Sequence, residues 1–271
     1  MKEENKMTKI GFIGAGNMGG AIMKGILGSG IKDTEVYAFD TDGEKLSALE
    51  KVGVKKCASA GEVCGCDIVF LAVKPQVFGD VLLSFKDSVK DGTVFVSIAA
   101  GITADFIRNT LEKPNLQVVL VMPNTPLLLG EGATAVGKAE NVPEDKFNLI
   151  CDIFAQCGKA FVTPESKMKE VIAVNSSSPA FIYLFAKGFI DYGMAQGFDE
   201  ETAKQLFAGA LIGSAKMITD SGHSIDELIK MVSSPGGTTL AGLDKLYEGK
   251  LTDTVNNACE ACTKRAYELS K

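Results

Sequence analysis

The sequence is poor in the residues that metal centres, membrane spans and nucleic-acid surfaces require. It contains one histidine, His223, and one C-x-x-C pair, Cys259 and Cys262, so no four-ligand zinc site is expected. No apolar run approaches the roughly 18 residues of a membrane span. Acidic residues outnumber basic ones by 34 to 28, which gives a formal net charge of −6 and no basic face. We therefore expect no metal, no membrane and no nucleic acid among the partners of this chain.

The first residues and the cysteines indicate a compartment. Residues 1–6 are charged and too polar for a signal peptide, so the expected location is the cytosol. Thiols stay reduced in that compartment. The seven cysteines are therefore expected as reduced and mostly buried thiols: Cys57, Cys64, Cys66, Cys151, Cys157, Cys259 and Cys262.

Short apolar runs alternate with helical patterns in the first part of the chain. Candidate strands lie at 8–13, 35–39, 67–73, 93–98 and 117–121, with weaker ones at 133–136 and 160–162. Helical spacing is clear at 17–27 and 43–51. This rhythm predicts an α/β fold, a Rossmann-type doubly wound parallel sheet with helices on both faces.

The character of the sequence changes near Thr163-Pro164-Glu165, and no strand is predicted beyond it. Helical patterns occupy 168–194, 199–219, 224–232, 238–247 and 252–269, and Asp199 is the expected N-cap of the second. We predict a dinucleotide-binding domain at 1–163 and an all-α domain for dimerisation and substrate at 164–271. The long apolar helix at 168–194 suggests burial against a partner.

A glycine motif, G-x-G-x-x-G, follows the first predicted strand and opens the first predicted helix. Gly14 allows a tight turn, Gly16 lets the backbone approach a pyrophosphate, and Gly19 lets the helix pack closely on the strand. The amino end of that helix offers N–H groups and a positive dipole end to phosphates. The motif therefore predicts a nicotinamide dinucleotide.

Acidic residues follow the second predicted strand. Asp40 stands where an acid can accept hydrogen bonds from the adenine ribose 2′-OH and repel a 2′-phosphate. Asp42 and Glu44 add like charge, and Lys45 opposes them. This pattern favours NADH over NADPH. The alternative is that these acids only begin the next helix, where negative charge is favourable.

Three further segments follow predicted strands, at 72–75, 97–101 and 122–126. Ligands of open α/β sheets bind at the carboxyl ends of strands. Small residues there let a flat nicotinamide lie against the backbone, and Pro123 and Pro126 stiffen the last segment. We therefore expect these three segments to line the cofactor site.

Six strings in this order resemble the pyrroline-5-carboxylate reductase family. They are the glycine motif, A-V-K-P at 72–75, S-I-A-A-G at 97–101, M-P-N-T-P at 122–126, S-S-P-A-F at 177–181 and S-P-G-G-T-T at 234–239. The resemblance covers nearly the whole chain, and M-P-N-T-P with S-P-G-G-T-T is highly specific. It implies reduction of (S)-1-pyrroline-5-carboxylate to L-proline by NADH or NADPH, the last step of proline biosynthesis. It also implies an interlocked homodimer, which in some members assembles into a ring of dimers.

Site roles follow from the resemblance. Ser234, Gly237 and Thr238 would hold the substrate carboxylate, with Met122 also at the substrate, and Thr239 would be the catalytic residue that hydrogen-bonds the ring nitrogen. Taken alone, Ser233–Thr239 also fits an ordinary helix-capping turn. The expected cofactor-binding residues are Gly14, Gly16, Asn17, Met18, Gly19, Asp40, Ser59, Ala72, Val73, Lys74, Pro75, Ala99, Gly101, Pro123 and Asn124.

The sequence departs from the family in two strings. Asn175-Ser176-Ser177-Ser178-Pro179 stands where the family usually has Ser-Gly-Ser-Gly-Pro, and Leu228-Ile229-Lys230 stands where it usually has Leu-Lys-Asp. These changes bear on local packing and neighbouring charge more than on the reaction. Asp40 also differs from the neutral or arginine-bearing segments of members that prefer NADPH.

Two other functions fit a Rossmann domain followed by helices. A β-hydroxy-acid dehydrogenase needs a helix lysine with a nearby asparagine, but Lys187 is followed four places later by Asp191. A non-catalytic NAD sensor would keep the glycine motif without needing S-P-G-G-T-T. His223, in a Ser-Gly-His-Ser turn, is expected to cap a helix or lie at the surface.

Overall fold

A computed structural model describes residues 7–269. Residues 1–6, expected not to form a signal peptide, lie outside the described residues. The described chain forms two compact units, the first made of 7–177 with 261–269 and the second of Ser178–Glu260. The division at 163/164 into functional domains stays a prediction.

The first unit is built on an eight-stranded sheet with the order β3-β2-β1-β4-β5-β6-β7-β8. The strands are β1 (Thr8–Ile13), β2 (Thr34–Phe39), β3 (Lys55–Lys56), β4 (Ile68–Leu71), β5 (Val94–Ser97), β6 (Gln117–Met122), β7 (Gly132–Lys138) and β8 (Gly158–Pro164). The seven predicted strands are all present. In the described residues no strand follows Pro164, and the Rossmann-type α/β fold is confirmed.

One pairing departs from the predicted parallel sheet. β7 runs antiparallel to β6, whereas the other neighbouring strands are parallel. The chain between Met122 and Gly132 is too short for a crossover connection, which takes about a dozen residues or more. β7 can therefore only return beside β6 in the opposite direction.

Helices cover both faces of the sheet because the strand side chains alternate between two apolar clusters. Phe12 and Phe70 point to one face and stack at 4.5 Å, where α1 (Asn17–Gly28), α2 (Gly43–Glu50) and α6 (Glu144–Ala155) bury their apolar sides. Phe95 points to the other face, which α3 (Ala60–Val63), α4 (Phe78–Phe85) and α5 (Ala104–Thr110) cover. Because β1, β2, β4, β5 and β6 run parallel, their carboxyl ends meet at one edge of the sheet.

The predicted single helix at 168–194 is wrong. The chain forms α7 (Met168–Val171), a π-helical turn (Ile172–Ser176) and then α8 (Ser178–Ala195). Pro179 has no N–H to donate to the carbonyl of Asn175, and its ring would clash with that carbonyl in a regular helix. The backbone instead widens by one residue, so that the Ser177 N–H donates to the Ile172 carbonyl at 2.9 Å.

The second unit is all-helical. It contains α8, α9 (Glu200–Asp220), α10 (Ile225–Met231), α11 (Thr238–Glu248) and the first half of α12 (Leu251–Leu269). Asp199 caps α9 as predicted, because its carboxylate accepts from the Thr202 N–H at 2.9 Å. Of the helices in the described chain, none is long and apolar enough to cross a membrane.

Candidate functional site

The loop between β1 and α1 gives each motif glycine a physical reason. Gly14 has φ +103°, and a Cβ there would lie 2.5 Å from the Ala72 carbonyl oxygen. A Cβ on Gly19 would lie 2.7 Å from the Gly14 carbonyl oxygen. Gly16, at the N-cap of α1, has open space where a Cβ would stand. The backbone next to Gly16 is therefore accessible, and Asn17 and Met18 form the first turn of α1 beside it.

Asp40 reaches this loop through its carboxylate. Its Oδ2 accepts from the Ala15 N–H at 2.6 Å, and its Oδ1 accepts from the Asp42 N–H at 2.8 Å. Asp42 is the N-cap of α2 and accepts from the Glu44 and Lys45 N–H groups. Asp42 therefore has the alternative role considered for these acids, which is to begin the next helix. Asp40 does something else, because it ties the end of β2 to the glycine loop and holds a negative charge there.

The predicted segments after β4, β5 and β6 share the edge of the sheet with the glycine loop, since β1, β4, β5 and β6 are adjacent and parallel. The Ala72 N–H donates to the Ile13 carbonyl at 2.8 Å, which joins the first two loops. Ala72 and Val73 follow β4, and Ala99 and Gly101 follow β5. The exposed Lys74 occupies the N-cap position of a short 3₁₀ turn that begins at Pro75, without a side-chain capping bond. Ser59, more remote in the chain, is the N-cap of α3 and accepts from the Glu62 N–H at 3.3 Å.

The loop after β6 is held by Asn175 and Ser176, to which the sequence analysis assigned no role at the site. The Asn124 carboxamide accepts from the Ala133 N–H at 3.0 Å and donates to Asn175 Oδ1 at 3.2 Å. Asn175, in the π-helical turn, donates to the carbonyls of Met122 and Ala133, both at 2.8 Å. Ser176 Oγ donates to the Pro123 carbonyl at 3.2 Å. The departure from the family string at 175–176 was the sequence signal for this contact.

A cavity of about 260 Å³ lies next to these loops in the first unit. Its lining includes Ala99, Gly101 and Met122 together with Glu165, whose pKa is raised because burial disfavours the charged carboxylate. At the end of α12, Tyr267 also lines the cavity, and its hydroxyl donates to Glu170 Oε1 at 2.9 Å. The cavity shows that the loops after β5 and β6 border open space.

The predicted substrate segment of the second unit is a turn that leads into α11. Gly236 has φ +70°, and Gly237 occupies the N-cap position, where the described chain supplies no side-chain cap. A Cβ on Gly237 would lie 2.6 Å from Ser234 Oγ, so a larger residue there would displace that hydroxyl. Thr238 and Thr239 form the exposed first turn. The turn offers N–H groups and hydroxyls to an anion.

Other reactive side chains have ordinary structural roles. His223 is exposed, and its Nδ1 lies 3.8 Å from Glu227 Oε2. Lys187 forms an ion pair with Asp191 on α8. Burial raises the pKa of Cys64 and Cys66 to about 12, so these thiols stay protonated. Across residues 7–269 no group of three or more histidine, cysteine or acidic side chains is arranged to hold a metal ion.

Comparison with known proteins assigns both parts of the chain. Residues 165–269 match the family model described as pyrroline-5-carboxylate reductase dimerisation. Residues 9–101 match the one described as NADP oxidoreductase, coenzyme F420-dependent. The pyrroline-5-carboxylate reductase of Escherichia coli is 36% identical over 267 residues, which cover 97% of this chain and 98% of that protein.

Solved structures agree with this assignment. The Plasmodium falciparum pyrroline carboxylate reductase with NADP bound has 30% identity and a TM-score of 0.85, covering 97% of this chain and 98% of that one. The pyrroline-5-carboxylate reductase of Coxiella burnetii has 31% identity and a TM-score of 0.88, covering 98% of this chain and 100% of that one. This chain, which has both the glycine loop and the Ser-Pro-Gly-Gly-Thr-Thr turn before α11, belongs to the pyrroline-5-carboxylate reductase family.

Proposed function

We propose that this chain reduces (S)-1-pyrroline-5-carboxylate to L-proline with a reduced nicotinamide dinucleotide, the last step of proline biosynthesis. The observation that carries the proposal is similarity to pyrroline-5-carboxylate reductases along almost the full length of the chain. The chain has a candidate for each part of the reaction. The glycine loop of the first unit would bind the dinucleotide, and the turn before α11 in the second unit would bind the substrate carboxylate.

The residues of the first unit fit a dinucleotide. Gly16 leaves space where a side chain would obstruct a pyrophosphate, and the first amides of α1 have no side-chain cap. The loops after β4, β5 and β6, with Ala72–Pro75, Ala99, Gly101, Pro123 and Asn124, would hold the nicotinamide end. When bound, the reduced nicotinamide supplies the hydride. The work of this unit is to hold the reacting ring at near-attack distance, roughly 3–3.5 Å.

The turn before α11 has the second task. Ser234, Gly237 and Thr238 would bind the substrate carboxylate through a hydroxyl and backbone N–H groups. Binding through these groups would hold the carboxylate without placing a lysine beside a protonated imine. A protonated imine is already a strong electrophile, so the site needs no powerful acid. Thr239 would hydrogen-bond the ring nitrogen and orient it, and Met122 would contact the ring.

The second unit would also form a homodimer. It lies within the residues that match the dimerisation family, and α8 and α9 expose large apolar side chains such as Leu184, 73% exposed, and Leu206, 62% exposed. A ring of dimers would extend this assembly. Light scattering after gel filtration tests both steps, because a dimer has twice and a ring a larger even multiple of the monomer mass. A monomer at micromolar concentration would contradict the proposal.

We further propose that this chain prefers NADH, because the carboxylate of Asp40 holds a negative charge beside the glycine loop. Asp40→Asn tests this, since an amide keeps an oxygen for the Ala15 N–H and removes the charge, although it loses the acceptor for the Asp42 N–H. We expect the NADPH/NADH ratio of kcat/KM to rise at least about ten-fold, or about 1.4 kcal/mol. Asp33→Asn, on an acid that precedes β2 at the opposite end of the strand, is the matched control. An unchanged ratio in Asp40→Asn would refute the preference.

The reaction itself is tested by following NADH and NADPH oxidation with 1-pyrroline-5-carboxylate in wild type, Thr239→Ala and Thr239→Ser. We expect imine-dependent oxidation that falls about ten-fold or more in Thr239→Ala and is partly restored by the serine hydroxyl. Equal activity in Thr239→Ala would keep the reaction and assign the ring nitrogen another partner. No oxidation by wild type with either cofactor would refute the proposal.

A further inference from the structure

We propose that Asn175 is a positioning residue, because its carboxamide fixes the conformation of the loop after β6 that carries Met122, Pro123 and Asn124. The inference rests on the proposed function, which assigns that loop to the cofactor and substrate. Asn175 lies in the π-helical turn of the first unit. Its bonding partners Met122, Asn124 and Ala133 lie in the same unit.

The Asn175 carboxamide bridges two strands at the edge of the sheet where the proposed site lies. Its Nδ2 donates to the carbonyl of Met122, the last residue of β6, and to that of Ala133 in β7, each at 2.8 Å. Both donors of the amide are thereby used on backbone. In the described residues, the antiparallel pairing of β6 and β7 consists of Val121–Val136 and Met122–Ala135. The amide therefore continues the cross-strand bonding beyond the last paired residue.

The same carboxamide orients Asn124. Asn175 Oδ1 accepts from Asn124 Nδ2 at 3.2 Å, while Asn124 Oδ1 accepts from the Ala133 N–H at 3.0 Å. Asn124 is 9% exposed, so these bonds form away from bulk water, where an unpaired polar atom is costly. The network thus determines both the backbone of the loop and the direction of the Asn124 side chain.

Only an amide at position 175 fits this set of partners. An aspartate of the same shape would place one carboxylate oxygen against two carbonyl oxygens. The serine that the family usually has there is shorter and has one donor, so it cannot bridge both carbonyls and also accept from Asn124. Ser176, where the family usually has glycine, adds a bond to the Pro123 carbonyl at 3.2 Å. The two departures therefore act together on one loop.

The test compares Asn175→Asp and Asn175→Ser with a matched control, Asn141→Asp, in the full-length protein. Asn141 Nδ2 also donates to two carbonyls, of Asn115 and Leu116, at the other end of β6. Four quantities are measured: kcat, KM for the imine, the dissociation constant of reduced cofactor from its fluorescence, and Tm. Activities are compared at a temperature well below the lowest Tm.

For Asn175→Asp we expect kcat/KM to fall about 100-fold, since a displacement of about 1 Å near the reacting atoms has that effect. The dissociation constant of the cofactor should rise about ten-fold. Asn175→Ser should lie between this variant and wild type. Asn141→Asp should lower Tm while leaving kcat/KM and the dissociation constant within about two-fold of wild type.

A double-mutant cycle distinguishes positioning from stability alone. If Asn175 acts through Asn124, the effects of Asn124→Ala and Asn175→Ala on kcat should be far from additive. Additive effects on kcat, or an Asn175→Asp variant that keeps the kcat/KM of Asn141→Asp, would overturn the proposal. If wild type reduces no imine, the proposed function fails, but the cofactor dissociation constants still decide the role of Asn175. An unchanged dissociation constant in both Asn175 variants would then refute it.

Discussion

Substitution of the second motif glycine, Gly16, should weaken cofactor binding without unfolding the protein. Gly16 has φ −66° and ψ −176°, which alanine adopts readily, and no heavy atom lies within 4 Å of an added Cβ. Alanine is a poorer N-cap than glycine by somewhat under 1 kcal/mol, and it restricts the unfolded chain by about 0.4–1 kcal/mol. The two terms nearly cancel, so the free energy of unfolding should change by less than about 1 kcal/mol.

The added methyl group would stand between the backbone and a pyrophosphate. We expect the dissociation constant of NADH or NADPH in Gly16→Ala to rise at least about ten-fold, or 1.4 kcal/mol. The chain has no tryptophan, so the fluorescence of the reduced nicotinamide can be titrated without an overlapping protein signal. Urea denaturation of the same samples gives the free energy of unfolding.

Two other alanine variants bracket this result. Gly28→Ala, at the far end of α1 with open space for its Cβ, should leave the dissociation constant unchanged. Gly14→Ala should destabilise the protein by about 3 kcal/mol or more, because φ +103° is strained for alanine and its Cβ would lie 2.5 Å from the Ala72 oxygen. A Gly16→Ala protein that is stable and binds cofactor as wild type does would refute a pyrophosphate at this loop.

Two further predictions concern stability. Burial raises the folded-state pKa of Glu165 above its unfolded value, so the stabilisation present at low pH is lost as pH rises through that raised pKa. Glu165→Gln should therefore increase the free energy of unfolding in urea at about pH 7 but not at about pH 4, and an equal effect at both would contradict the reasoning. Thr134, 1% exposed in β7, has a hydroxyl oxygen without a hydrogen-bond partner among the described residues. Thr134→Val should raise the free energy of unfolding by about 1 kcal/mol and raise Tm with it. A lower Tm would show that the hydroxyl is hydrogen-bonded in the folded protein.

The parts of the fold that depend on local spacing could be predicted from the sequence. The glycine motif fixed the turn from β1 to α1, and the apolar runs of the buried strands agreed with the structure to within a few residues. β3 could not be predicted, because Lys55–Lys56 is too short and polar to show a pattern. The antiparallel direction of β7 could have been predicted, because the segment between β6 and β7 is too short for a crossover connection.

The sequence also contained a signal for the interruption between α7 and α8, but the prediction of one helix relied on apolar spacing alone. Pro179 lies inside the predicted helix at 168–194, and it is the residue that excludes a regular helix there. Hydrophobic periodicity tolerates one inserted residue because the apolar face resumes after it. The lesson is that a proline within a helical pattern predicts a boundary even when the pattern continues.

The loops of the candidate site could be predicted from the sequence, but the side-chain hydrogen bonds that hold these loops in place could not. The residues after each strand could be named, since the sheet gathers the carboxyl ends of parallel strands. The carboxylate of Asp40 on the Ala15 N–H and the amide of Asn175 between β6 and β7 join segments that are distant in the chain. Such contacts depend on the folded register: the departure from the family string at 175–176 marked the position of one of them, but its bonding partners could not be predicted.

The shortness of β3 has a consequence for how this protein behaves when crowded. An edge strand offers unpaired N–H and C=O groups to any passing chain, which can extend the sheet and begin an aggregate. At this edge only two residues are paired to β2, and both are exposed lysines. A second chain would meet too few backbone groups to hold it, beside the two lysine side chains, of which Lys55 is paired with Glu35. The sheet therefore ends at β3 in a form that resists growth.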